Sequence, residues 1–529
     1  MDSVEMDIEE RSHALHWAQS GNGDSGCDPE RLSPYRWLMN VSKRTLPVVL
    51  IFLVFGNLSA AGKPNIVFIM ADDLGWADVG FNGAKFYETP HIDRLRAGGM
   101  NFTSAYPGAS NCMPSRSCIM TGMYTPRTQM WTPGSQSKGE ISYMKFSVPT
   151  KGSPNGKNDI PSKGALEPSV TSIAETLKLG GYRSARFGKW HLGPDTQGFD
   201  ISDPSGRGGK IGNKLYGNID VAEWLTDASV KFIEDSKDSP FFLYLTHWDV
   251  HTPIKARKDV VEKYQRKLDG SKWGREWNVT YAAMIEAVDT SVGRVREALE
   301  KNGVAENTLF IFTSDNGGHS GVTWCDPLKG AKGAFYEGGI RVPACARWPG
   351  VIEANSECDT PITGVDYLPT FAALAGVKPL NNQPVDGRSF VPLLKGESAL
   401  KDRAVFWHYP LYLSGGGYNQ VVPVHGTDRM YWRATPCSVI RKGDWKLIQF
   451  FESDSIQLFN LKRDVGEQSD LAKEEPVKAV EMLTELQAWQ KATGAPIPKK
   501  LNPLFDSTKV TVKKGNGKRS KKKSVTKDK

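Results

Sequence analysis

Acidic, basic and imidazole side chains stand in this 529-residue chain at one recurring kind of place, just past a short apolar run. Residues 66–70 (Ile-Val-Phe-Ile-Met) lead into Asp72-Asp73, and 309–312 lead into Asp315-Asn316. Residues 241–245 are followed by His247 and His251, and the mixed run 182–187 by Lys189 and His191. Three carboxylates and an amide oxygen are hard donors. They suit Ca2+ or Mg2+, whereas zinc would favour His and Cys. Carboxylates as close as Asp72 and Asp73 repel each other unless a cation neutralises them. Taken singly, Asp72-Asp73 reads as a turn or helix cap, a lysine as a solvated charge and a histidine as a structural hydrogen-bonding group. Four such endings together predict one polar site assembled from distant parts of the chain.

The elements that would position these residues follow from the hydrophobic pattern. Continuous apolar runs mean strands buried on both faces, as in a parallel sheet. Helical segments fill 170–179, closed by Gly180-Gly181, and then 222–235 and 281–301. The alternation predicts an α/β fold: a large, doubly wound, mostly parallel sheet domain over residues 62–390. In such sheets ligands sit beyond the carboxyl ends of the strands, where these polar residues fall. Near residues 377–400 the pattern changes. Residues 439–450 read as short strands around Gly443-Asp444, 456–461 as another strand and 478–492 as a helix. This predicts a smaller C-terminal α+β domain over 400–500. Residues 131–169, polar and rich in Gly, Ser, Pro and Lys, read as a long surface insertion. Together with the aromatic, Gly-bearing loop 409–432 it is expected to shape substrate access.

Cys112-Met113-Pro114-Ser115-Arg116, followed by Thr121-Gly122, is the sharpest local motif. Here the chain resembles the type I sulfatase family of the alkaline-phosphatase superfamily, whose signature is C-x-P-S-R with a following T-G. PNIVFIMADDLG, GKWHLG, VHTP, TSDNGG and KGAFYEGGIRVPA are similar to family blocks and stand in family order. IRKGDWKLI and LFNLKRDVGE are similar to the family's second domain, and the likeness covers residues 62–490. The resemblance implies an alkaline-phosphatase-like fold and an arylsulfatase-like sulfuric ester hydrolase. It implies that a formylglycine-generating enzyme oxidises Cys112 to 3-oxoalanine (formylglycine), whose hydrate attacks sulfur. Asp72, Asp73, Asp315, Asn316 and the modified Cys112 would hold Ca2+ or Mg2+. Arg116, Lys189, His191, His251 and Lys332 would meet the sulfate and move protons. In that scheme Lys332 or His251 protonates the leaving alcohol and His191 assists the release of sulfate. Arg116 lies one turn beyond Cys112 if a helix starts there, and such a helix N-terminus favours an anion. His319 is a candidate substrate contact and His247 a lesser one. Tyr336, Glu337 and Arg341 match positions read as architectural. Two residues depart from the family pattern: Met123, where Arg or Lys is frequent, and His91, where Asn is commoner.

Composition bounds the remaining readings. The net charge is +8, but residues 509–529 hold ten Lys or Arg and one Asp, a balance of +9 that leaves the rest of the chain at 8 − 9 = −1. A near-neutral body with a basic, solvated tail argues against nucleic acid as a partner. A signal peptide is expected over 39–61, within an N-terminal extension spanning 1–61. Lys43 and Arg44 precede the apolar run 46–55, and Ser59 and Ala61 suit cleavage before Gly62. The protein is therefore expected to be secreted or periplasmic. Seven cysteines, less Cys27 and Cys112, leave room for one or two disulfides. The expected partners are a sulfated small molecule or polysaccharide and the formylglycine-generating enzyme. Two alternatives stand beside this reading: a phosphoester or phosphonate hydrolase of the same superfamily, and an inactive, glycan-binding sulfatase fold. The nine histidines do not supply the ligand set of a two-zinc hydrolase, and a mere binder has no need of Cys112 together with the carboxylates.

Overall fold

The computed structural model describes residues 62–509, apart from 149–159, 203–216, 380–382, 416–418 and residues 135, 195, 274 and 276. The expected signal segment (1–61), Cys27 and all but the first residue of the basic tail lie outside the described residues. An eight-stranded sheet organises the larger part of the chain. Its spatial order is Ile201–Ser202, Arg183–Gly188, Phe241–Thr246, Asn65–Ala71, Thr308–Ser314, Ala344–Arg347, Met100–Phe102 and Ser356–Cys358. Only Ala344–Arg347 runs against its neighbours; every other pairing is parallel.

The central strand shows why a continuous apolar run is needed. Successive side chains of Asn65–Ala71 point to opposite faces, and both faces are covered. Val67, Ile69 and Ala71 pack with helices Val221–Ser236 and Val279–Lys301. Ile66, Phe68 and Met70 pack with helices Ile173–Leu179 and Tyr367–Leu374. Ile173–Leu179 starts at a capping box in which Ser172 and Glu175 satisfy each other's backbone N–H.

The C-terminal part is a four-stranded antiparallel sheet, Ala404–Tyr409, Cys437–Lys442, Trp445–Phe450 and Ser455–Asn460. Gly443, at φ 54°, makes the tight turn between its middle strands. Ile440, Leu447 and Leu458 pack on helix Pro476–Thr493. The other face, with Trp407, Val439, Ile448 and Phe459, packs on Phe335 and Tyr336 of the larger part.

The segment expected as a surface insertion is partly core. Trp131, Met144, Phe146, Val148 and Ile160 are buried in the same cluster as the C-terminal sheet. Their wide, irregular spacing among polar residues hid that from pattern reading. The chain end beyond 500 also docks: Asn502 N–H donates to Lys145 O at 2.9 Å and Ser147 N–H to Lys500 O at 2.8 Å. The six described cysteines are all free thiols, so no disulfide forms among the described residues.

A buried ionic group joins the two parts. Lys446 Nζ stands 3.0 Å from Glu337 Oε1 and 2.8 Å from Glu467 Oε1, all three side chains being inaccessible. Tyr106 OH and Arg341 Nε donate to Glu337 Oε2 at 2.8 and 2.7 Å. Burial, partly offset by Lys446, pushes the Glu467 carboxyl up to about 7. Tyr336, Glu337 and Arg341 are thus structural, as expected. Lys446→Met leaves Glu467 without its cation and Glu337 with Arg341 alone, and breaking such a buried pair costs about 3–5 kcal/mol. Denaturant unfolding of the variant should show that loss; an unchanged midpoint would mean the lysine is not what holds the joint.

Candidate active site

Four neighbouring parallel strands, Arg183–Gly188, Phe241–Thr246, Asn65–Ala71 and Thr308–Ser314, end level with one another. The next residue after each is Lys189, His247, Asp72 and Asp315 respectively. Backbone bonds carry the ladder one step further and fix these positions: Lys189 N–H to Thr246 O at 2.8 Å, His247 N–H to Met70 O at 2.9 Å and Asp315 N–H to Ala71 O at 3.2 Å. Asp73 then turns at φ 66°, a left-handed conformation unusual for a residue with a side chain. Its N–H donates to Asp315 Oδ1 at 3.2 Å, which ties the two strand ends together. The fifth contributor is helix Cys112–Thr121, buried along its whole length, with Cys112 as its first residue.

Ligand atoms of Asp72, Asp73, Cys112 and Asp315 all lie within 4.8 Å of one another. That is about twice a Ca–O bond of ~2.4 Å, the spread expected of donors around one hard cation. Asn316 joins them, its Nδ2 donating to Asp73 Oδ1 at 2.8 Å. Among the described residues, Asp72 Oδ1 and Asn316 Oδ1 are buried acceptors with no hydrogen-bond donor. Buried acceptors left unmatched are costly, so the set fits a bound Ca2+ or Mg2+. Burial and the Asp72 charge push the Asp315 carboxyl up to about 6, against the pull of Arg116. Burial likewise opposes the Asp73 charge, but Lys332, His251 and Lys189 hold that carboxyl below the usual carboxylate range. Burial pushes the Cys112 thiol up to about 12.

The cations divide into two kinds. Lys189 Nζ pairs with Asp72, and Lys332 Nζ with Asp73 at 2.6 Å, and both also line a cleft of about 380 Å³ over Cys112. Arg116 does not reach that cleft. Its Nε and Nη2 donate to Asp315 Oδ2 at 2.9 and 2.7 Å and its Nη1 to Lys189 O at 2.6 Å. It therefore holds Asp315 and the Lys189 carbonyl and, unlike the expectation for this residue, does not line the cleft. One helical turn does separate it from Cys112, but the buried carboxylate claims its fork. His191, His251 and His319 line the cleft, while His247 is wholly buried and does not. Sequence reasoning missed Thr132, Trp248, Ser414 and Arg433, which also line it. The first, third and fourth come from or beside the two segments expected to shape access. Trp248 sits between His247 and His251 and carried no signal of its own.

Comparisons with known proteins agree with this arrangement. The sulfatase family profile matches residues 64–377, and that of the N-sulphoglucosamine sulphohydrolase C-terminal region matches 330–492. A sulfatase of Formosa agariphila is 33% identical, over 82% of this chain and 90% of its own length. Mouse N-acetylgalactosamine-6-sulfatase is 31% identical, over 68% of this chain and 72% of its own. The crystal structure of Ps i-CgsB in complex with k-i-k-neocarrahexaose superposes with a TM-score of 0.64 at 29% identity, covering 84% of this chain and 96% of that one. The alkaline-phosphatase-like fold, the level strand ends and these matches lead to one statement: the chain belongs to the sulfatase family and is a sulfuric ester hydrolase.

Proposed function

We propose that this sulfatase is exported, removes a sulfate group from a sulfated carbohydrate, and works with a formylglycine made from Cys112 beside Ca2+ or Mg2+. The observation that carries the reading is Cys112 at the first position of a buried helix, its sulfur within 4.8 Å of three carboxylates. As a thiol it is mismatched with that company. It is a soft ligand among hard oxygens, and burial keeps it protonated. An oxygen-bearing side chain at the same place would be a hard donor and a nucleophile. Oxidation to 3-oxoalanine supplies this, because its hydrated aldehyde presents hydroxyl groups. A cation on Asp72, Asp73, Asp315 and Asn316 would neutralise the carboxylates and polarise oxygen atoms bound to it.

The chain's own residues have separable tasks in this scheme. Arg116 holds Asp315 and the Lys189 carbonyl. Lys189 and Lys332, each anchored by a carboxylate, present positive charge to a sulfate in the cleft, where exclusion of water strengthens the attraction. His251 Nδ1 lies 2.5 Å from Thr252 O, so in the neutral ring that nitrogen carries the proton and Nε2 is left as an acceptor. Proton donation to the leaving alcohol therefore falls to Lys332 rather than to neutral His251. His191, on the cleft wall, is assigned proton transfer during sulfate release. A carbohydrate substrate is supported by what the relatives named above act on or bind.

Mass spectrometry of the peptide spanning 111–116 should find residue 112 lighter by the difference between a –CH2SH and a –CHO group. Cys112→Ala should abolish sulfatase turnover while the protein still folds; substantial activity in that variant would overturn the assignment. Treatment with chelator should remove activity, and Ca2+ or Mg2+ should restore it. Full turnover in metal-free protein, or rescue by zinc alone, would remove the hard-cation site. Export predicts that the mature chain begins near Gly62, and N-terminal sequencing of protein recovered outside the cytoplasm checks this.

A further inference from the structure

We infer that Arg433 binds a second anionic group of the substrate, a sulfate or carboxylate next to the sulfate that is hydrolysed. This inference rests on the sulfated-carbohydrate reading and deepens it. Arg433 belongs to strand Met430–Ala434 in the C-terminal part, yet it lines the same cleft as Cys112 and Lys332. The crossing is built in. Gly333, next to Lys332, has φ 91°, and a Cβ there would stand 3.0 Å from Arg433 Cδ and 2.6 Å from Leu413 Cδ2. The arginine stem thus passes directly over the backbone beside Lys332, which fixes its head within the cleft.

What sets Arg433 apart is its charge balance. Lys189 and Lys332, the cleft lysines beside Cys112, each have a carboxylate, Asp72 for Lys189 and Asp73 for Lys332. Arg433 forms no ion pair among the described residues, and its Nε is buried without an acceptor. Among the described residues, no Asp or Glu lines the cleft. Its partial burial disfavours the guanidinium charge, and the more distant Asp73 offsets this only in part. Such a group is costly until an anion arrives. The hydrolysed sulfate is already met by Lys189 and Lys332, so the unmatched charge calls for another anion. A guanidinium fork suits the planar or trigonal oxygen edge of a carboxylate or sulfate. Lys138, exposed at the same cleft and pinned by Ser414 N–H to Lys138 O at 2.8 Å, adds charge of the same sign. An aryl sulfate, neutral apart from its sulfate, would leave Arg433 unpaired. A polyanionic carbohydrate would not.

The test uses the full, formylglycine-bearing enzyme with 4-nitrophenyl sulfate as reporter. Sulfated disaccharides are added as competitors, in sets that share one sulfate and differ only by lacking a second anion, carrying a second sulfate or carrying a carboxylate. A competitor yields an inhibition constant whether or not it is hydrolysed. Wild-type enzyme should bind a dianionic member more tightly than its monoanionic partner, and the sulfate and carboxylate arms show which anion Arg433 takes. Arg433→Ala should weaken the dianion by about 10- to 100-fold, the range of a charge-assisted hydrogen-bonded pair, and bring the two constants together. Arg433→Lys should recover part of the difference, since charge remains but the fork is lost. Equal weakening of both members, or no preference in the wild type, would overturn the inference. So would loss of reporter hydrolysis in both variants, which would place Arg433 on the hydrolysed sulfate. Wild-type protein that hydrolyses no sulfate ester would instead strike the underlying sulfatase reading.

Discussion

Three carboxylates brought within 4.8 Å of one another in a buried pocket are the constraint from which the rest of the structure follows. Left alone, such a cluster would repel and would not stay ionised. Everything around it supplies positive charge in a defined place. Arg116 faces Asp315, Lys189 faces Asp72 and Lys332 faces Asp73. These three cations come from the buried helix, a strand end and the loop after Asn316, so three distant segments must meet to balance the cluster. Two acceptors remain unmatched even then, Asp72 Oδ1 and Asn316 Oδ1, which leaves room for one hard cation.

Much of this was legible because it rests on periodicity and position. A strand buried on both faces must be continuously apolar, and its polar successor must lie at the sheet edge. Asp72, Lys189 and Asp315 could therefore be placed without knowing the register. The same reasoning drew in His247, which occupies the equivalent place after Phe241–Thr246 but turns into the protein and not the cleft. Strand ends show where a residue sits; they do not show where its side chain goes. Arg116 illustrates the same limit. Helical spacing from Cys112 was readable, but the competition between Asp315 and a substrate anion for its guanidinium is settled only by three-dimensional contact.

The less legible parts are those held by contacts between distant segments. Residues 131–169 look like a surface loop because their apolar members are sparse and fit neither a helical nor a strand period. Trp131, Met144 and Phe146 nevertheless fill the seam against the C-terminal sheet. Arg433 had no motif at all; its importance comes from Gly333, where the absence of a side chain lets its stem cross.

The C-terminal part is consequently more than a cap on the larger sheet. The cleft is lined by Lys332 from the larger part and by Ser414 and Arg433 from the smaller. Their separation is set by how firmly the two parts are joined. The join is a buried lysine between two glutamates, surrounded by apolar packing. Such an ionic group adds little net stability compared with apolar residues of the same shape, but it is directional. Lys446 reaches Glu337 and Glu467 together only in one placement of its strand against helix Glu337–Ile340. Apolar surfaces alone would tolerate sliding, and sliding by one residue would turn the strand's side chains to the opposite face. The polar joint therefore fixes the register in which the chemistry of one part meets the substrate-facing surface of the other.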